Sequence, residues 1–182
     1  MLTMKGSPME QKKTRKKVKK EGSSRNRKSV FSVVLVLLVT AIVLLNLFTH
    51  VLAVVHYFGN GMEPELQNGQ TLILQRTKNV KEGDIVAFYY NNQLLVRRVI
   101  CEGGKQITIN RDGSVEINNE MLEEPYVEEP SIGQCNITFP HTVAPNHYFV
   151  MGDQRSISMD SRLKEIGGIS EDRLLGKVLF AI

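Results

Sequence analysis

From residue 30 to residue 55 the chain carries no Asp, Glu, Lys or Arg, and its densest part reads VFSVVLVLLVTAIVLLNLF. About 20 apolar residues suffice to cross the hydrocarbon core of a bilayer as a helix. A cleavable signal peptide has a shorter apolar region, of about 7–15 residues, before a small-residue cleavage site. The pattern therefore predicts an uncleaved transmembrane signal-anchor helix over residues 30–55. No second apolar run of that length follows, so a single pass is expected.

Beyond residue 55 the pattern changes. Short apolar runs alternate with turn signals: TLILQR after QNGQ, DIVAFYY after KEG, QLLVRRVI after NN, then QITIN and SVEIN flanking Arg111-Asp112-Gly113. HYFVMGD and LLGKVLFAI look like further strands. Val, Ile, Phe and Tyr dominate these runs, as strands prefer. The Asp-Gly step between alternating segments signals a hairpin. No window after residue 55 shows a helical period. The expected fold is all-β, with antiparallel sheets forming a barrel or sandwich over residues 56–182. The stretch from 121 to 146 is acidic and Pro-rich and reads as a surface loop or lobe.

Charge fixes an orientation for this arrangement. The net charge of +4 hides +9 within residues 1–29, where 11 Lys/Arg face only Glu10 and Glu21. The remainder carries −5. A basic segment before an apolar run reads as a cytoplasmic tail touching anionic lipid, which puts residues 56–182 outside the cell membrane. No aromatic residue interleaves the lysines, so nucleic-acid binding is not expected. Cys101 and Cys135 fall in the external part, where a disulfide is permitted; bridge and free thiols both stay open. No His/Cys cluster suggests a metal, and no cofactor is expected.

Four stretches, in order, resemble the type I signal peptidases, the membrane-anchored serine endopeptidases that remove signal peptides during protein secretion. GMEPEL followed by NGQ is similar to the family's Ser-Met-x-Pro-Thr-Leu with a nearby Gly-Asp. EGDIVAF is similar to its Gly-Asp-Ile-Val strand, and VRRVICEGGKQITI to its Lys-Arg-Val-Ile-Gly-x-x-Gly-Asp segment. HYFVMGDQRSISMDSR is similar to its Gly-Asp-Asn-x-x-x-Ser-x-Asp-Ser-Arg box, and GGISEDRLLGKV to its closing strand. The resemblance covers residues 30–182. It implies a β core with a smaller inserted lobe.

The resemblance also implies a mechanism that this chain departs from. The family uses a serine nucleophile and a neutral lysine as general base, and serine reacts only when a base takes its proton. Gly61 stands at the serine position and Arg97 at the lysine position. A guanidinium has a pKa above about 12 and is no base near neutrality. Lys105 stands where the family has aspartate. Met62, Pro64, Arg98, Gly152, Asp153, Arg155, Ser158, Asp160, Ser161 and Arg162 still match. Asp160 with Arg162 or Arg155 is expected to tie a loop to the sheet. Among His50, His56, His141 and His147 none has a recognisable serine partner.

The implied function is a signal-peptidase-like membrane protein without peptidase activity. It is expected to bind exported proteins or signal peptides along strand edges, with TLILQR and QLLVRRVI as groove walls. Inactive relatives occur in Gram-positive bacteria, some beside pilus genes, so the resemblance makes pilus assembly one context and a pilin one partner. Two alternatives stand beside it: an active signal peptidase I using an unrecognised group, and a generic membrane-anchored β binding domain.

Overall fold

In the computed structural model of the protein, residues 30–46 and 48–182 are described; the basic tail, residues 1–29, lies outside them. The chain divides into two compact units, one ending at Phe48 and one running Thr49–Ile182. The first described element is a helix, α1 (Val30–Val51), long and apolar enough to cross a membrane. Its described residues are all exposed. A helix apolar on every face and left uncovered suits a lipid surrounding rather than water.

The helix stops short of residue 55. Leu52–His56 forms a strand, β1, paired antiparallel with β2 (Thr71–Gln75) in the register Ala53↔Leu74 and Val55↔Leu72. The carbonyl of Val51 already accepts the Arg76 N–H at 2.7 Å. The apolar run thus contains a candidate membrane span and a strand in sequence. A continuous apolar run looks the same for either, so hydropathy alone could not place the change.

The remaining strands are β3 (Ile85–Tyr90), β4 (Gln93–Glu102), β5 (Gln106–Ile109), β6 (Val115–Ile117), β7 (Glu120–Met121), β8 (His141–Thr142), β9 (His147–Met151), β10 (Ile169–Ser170) and β11 (Leu174–Ala181). A single 3₁₀ turn, Glu171–Arg173, precedes β11. Seven strands form one sheet in the order β1-β2-β11-β3-β4-β9-β10, and four form a second in the order β7-β6-β5-β8. Every pairing between them is antiparallel. The all-β expectation and its division into core and smaller lobe both hold.

Turn chemistry sets the registers. Asn91 and Asn92 both have positive φ, 47° and 63°, and close β3 onto β4 with Tyr90 opposite Gln93. Asparagine tolerates this left-handed geometry, and two such residues give the tight turn whose twist matches the strands. Between β5 and β6 the Asp112 carboxylate accepts the Ser114 N–H, and Gly113 supplies the positive φ of 88°.

Three apolar clusters fill the unit. Ala53 and Tyr57, Met62 and Leu66 of the loop after β1, Leu72 and Leu74 of β2, Ala87 of β3 and Val96 of β4 form the first. β1 and β4 are far apart in sheet order yet share this cluster, so the large sheet curls round it. Val86, Phe88, Val99, Val150 and Ile169 lie in the second. The third joins the lobe, through Ile107, Ile109 and Val115, to Ile100, Phe149 and Met151 of the main sheet. Leu122, Tyr126, Ile137 and Phe139 of the 121–146 stretch pack on it. That stretch is therefore a folded lobe edge.

Candidate functional site

The loop after β1 is built around Met62. Its side chain is fully buried, its N–H donates to the Tyr57 hydroxyl at 3.2 Å, and its carbonyl accepts from Leu66 N at 2.8 Å. Burial pushes the Tyr57 phenol up, so it stays protonated. Pro64 lies exposed on the outside of the loop. With Met62 pinned, Gly61 is held against two distant segments. Its carbonyl accepts from Gln154 N at 3.1 Å, and the Ser158 hydroxyl lies 2.9 Å away. That hydroxyl also lies 2.8 Å from the Gln154 carbonyl and has one hydrogen to give.

Arg97 reaches the same spot from β4. A β-carbon at Gly61 would stand 2.9 Å from Ser158 Oγ, 3.2 Å from Arg97 Nη1 and 3.3 Å from Arg97 Cζ. Three residues separated by up to 97 positions thus converge. Arg97 is 7% exposed. Its Nε donates to the Met159 carbonyl at 2.9 Å and its Nη1 to the Val96 carbonyl at 2.6 Å. Burial pushes the guanidinium down from its ordinary value, and the charge of Asp160 opposes this. A guanidinium nonetheless remains a cation in proteins, with five donors and no acceptor.

Around this point the box residues form a buried scaffold. Asp160 and Arg162 make a two-pronged ion pair, with Nε and Nη2 at 2.8 and 2.7 Å, and neither side chain is exposed. Asp160 also accepts the Gly152 N–H at 3.1 Å. Arg162 donates on to the carbonyls of Ser131 and Ile132, at 3.3 and 2.9 Å, tying the 121–146 stretch to the main sheet. The expected Asp160–Arg162 tie is present. Arg155 instead pairs with Glu124 at 2.6 and 2.9 Å, because its Nε is held by the Gly152 carbonyl and its fork points towards the lobe. Ser161 accepts the Val150 N–H at 3.0 Å. Arg98 makes a bidentate pair with Asp153, at 2.9 and 2.6 Å, and lies 4.0 Å from the Tyr126 ring centre. Such forked, desolvated pairs are the strong ones.

Two further expectations resolve differently. TLILQR cannot offer a groove wall, because β2 is paired on both sides, with β1 and β11. The open edge on that flank belongs to β1. QLLVRRVI does present one: β9 pairs with β4 only from Arg98 onward, leaving residues 93–97 without a strand partner on the side away from β3. Lys105, the charge-reversed position, pairs with Glu82 at 2.8 Å. Cys101 and Cys135 are both free thiols. Sequence reasoning missed Tyr57, Glu124 and Tyr126. Each is a single residue whose partner lies on another segment, and no periodicity or spacing marks it.

The chemistry available follows from these atoms. Gly61 offers no side chain. Ser158 is buried, and the groups around its hydroxyl are carbonyl oxygens, which are poor bases. His56 Nδ1 lies 3.1 Å from the Thr71 hydroxyl on the β1–β2 pair, and His147 Nδ1 lies 2.9 Å from the Pro145 carbonyl.

Comparisons with known proteins give the chain a family. The family described as "Signal peptidase, peptidase S26" matches residues 27–182. Signal peptidase I T of Bacillus subtilis (strain 168) is 33% identical over 135 residues, covering 67% of this chain and 69% of that one. Signal peptidase IB of Staphylococcus aureus is 30% identical over 142 residues, covering 67% and 73%. A crystal structure of a signal peptidase I from Enterococcus faecalis V583 aligns at TM-score 0.47 and 29% identity, over 56% of this chain and 97% of that one. The chain belongs to the S26 signal peptidase family. Within it, this is a signal-peptidase-I-like protein.

Proposed function

We propose that this protein has no peptidase activity of its own and that it holds an exported polypeptide, in extended form, beside the vacated dyad. The supporting observation is the occupancy of one point in space. Where a nucleophile's side chain would begin, Gly61 offers nothing, and the Arg97 guanidinium lies within 3.3 Å. Acyl transfer needs a nucleophile and a base at that point, and the chain supplies a cation. The active-peptidase alternative would have to route through Ser158, whose buried hydroxyl has only carbonyl partners.

Peptide holding is favoured by two of the open strand edges, the outer edge of β1 and residues 93–97 of β4. Both flank one apolar cluster that contains Ala53 and Val96. An edge binds extended backbone through its own N–H and C=O groups and needs no reactive side chain. α1 serves as the membrane anchor, with residues 1–29 cytoplasmic and the β unit outside. The cargo is a secreted or surface protein, and a pilin is the narrower form of this proposal, supported by the sequence resemblance alone. The test is to incubate the full chain in detergent with a pre-protein. Retention on the protein with the signal junction intact supports the reading. Cleavage, or no retention at all, overturns it.

A further inference from the structure

Three of the four arginines gathered round the site have carboxylates: Arg98 has Asp153, Arg155 has Glu124 and Arg162 has Asp160. Arg97, although 7% exposed, has none within 4.0 Å among the described residues, and its hydrogen bonds go to two backbone carbonyls. The nearest acids are engaged. Asp160 is held by Arg162 and the Gly152 N–H, and Asp153 by both prongs of Arg98. Nη2 of Arg97 has no protein partner. Every buried side-chain nitrogen and oxygen among the described residues does have one, so Nη2 reaches solvent.

A desolvated cation without a counter-ion is costly to keep. The fork geometry of a guanidinium suits a planar carboxylate. Gly61 contributes to access, since any side chain there would begin 3.2 Å from Nη1. Exposed apolar groups lie along the same segments: Ile157, and Met159, whose own carbonyl holds Arg97 Nε, and Phe58 on the loop before Gly61.

We propose that the vacated dyad is a carboxylate receptor: Arg97 binds an acidic group of the held polypeptide, an Asp or Glu side chain or a chain-terminal carboxylate, flanked by apolar residues. This rests on the peptide-holding reading. It adds that recognition turns on one negative charge.

The experiment uses the full chain in detergent micelles and short blocked peptides that differ at one central position, Glu or Gln, between apolar residues. A third peptide has the Gln sequence with a free terminal carboxylate. The Glu peptide is expected to bind about tenfold more tightly than the Gln peptide. A gain of the same size for the third peptide would identify a chain terminus as an equal source of the carboxylate. In Arg97→Gln the Glu preference falls to about onefold, on the same relation. Gly61→Ala keeps the charge but places a methyl group before Nη1, and is also expected to reduce the preference, with thermal unfolding confirming that both variants fold. Equal binding of Glu and Gln peptides by the natural protein, or a preference that survives Arg97→Gln, overturns the carboxylate receptor and leaves peptide holding intact. Failure of every peptide to bind overturns both.

Discussion

The guanidinium of Arg97 stands over the α-carbon of Gly61: a β-carbon there would lie 3.2 Å from Nη1 and 3.3 Å from Cζ. These distances are tighter than ordinary packing allows, so a side chain at 61 and an arginine at 97 compete for one volume. Gly61→Ser alone is expected to cost about 1–3 kcal/mol by overpacking. Combining it with Arg97→Lys, which shortens the head group, should recover part of that, with a coupling of about 1 kcal/mol or more. Urea unfolding of the two single variants and the double variant measures it. Strict additivity would mean that the two positions are independent.

Gly152 is constrained more severely. A β-carbon there would overlap Ser158 Oγ and lie 2.5 Å from the Gly61 carbonyl. Gly152→Ala is expected to cost on the order of 3 kcal/mol, because a backbone atom must move. The fall in the urea midpoint tests this, and a change within about 0.5 kcal/mol, the range of ordinary surface substitutions, would contradict it.

The Asp160–Arg162 pair holds the lobe to the sheet with both side chains fully buried. Removing one partner leaves an uncompensated buried charge. Asp160→Ala is therefore expected to destabilise by about 3–5 kcal/mol. Hydrogen exchange should also rise first at the Gly152 N–H, which donates to the Asp160 carboxylate at 3.1 Å.

These scaffolding residues were largely legible beforehand. The resemblance of HYFVMGDQRSISMDSR to the family's box pointed to Gly152, Asp153, Ser158, Asp160, Ser161 and Arg162, and opposite charge suggested the Asp160–Arg162 tie. The core strands were legible too, since short runs rich in Val, Ile, Phe and Tyr between turn signals mark them. β1 was not, because LAVVH continues an apolar run that hydropathy assigns to the anchor. Nor was the interior place of β2: nothing in TLILQR says that β1 and β11 will flank it. Glu124 and Tyr126 stayed hidden because their partners, Arg155 and Arg98, are set by how the lobe folds back.

The lobe and the main sheet meet at Cys101, which is fully buried. Burial is the main cause that pushes its thiol from 9.0 to about 12. At neutral pH, iodoacetamide should label the partly exposed Cys135 and spare Cys101. The linkage sign follows from the same shift. Above pH 9.0 the unfolded chain loses this proton while the folded chain keeps it until about 12, so stability falls as pH rises through that window. Cys101→Val should show a shallower fall over the same window in thermal unfolding; an equal slope would contradict it.

Cleavage of a pre-protein measures the central claim most directly. The full chain, purified in detergent, is incubated with a pre-protein beside the Gly61→Ser/Arg97→Lys double variant, and the signal junction is followed by mass spectrometry. The account predicts no cleavage by the natural protein above a no-protein control, and measurable cleavage by the double variant. Cleavage at the junction by the natural protein, abolished by substituting Ser158 or another named residue, would contradict it.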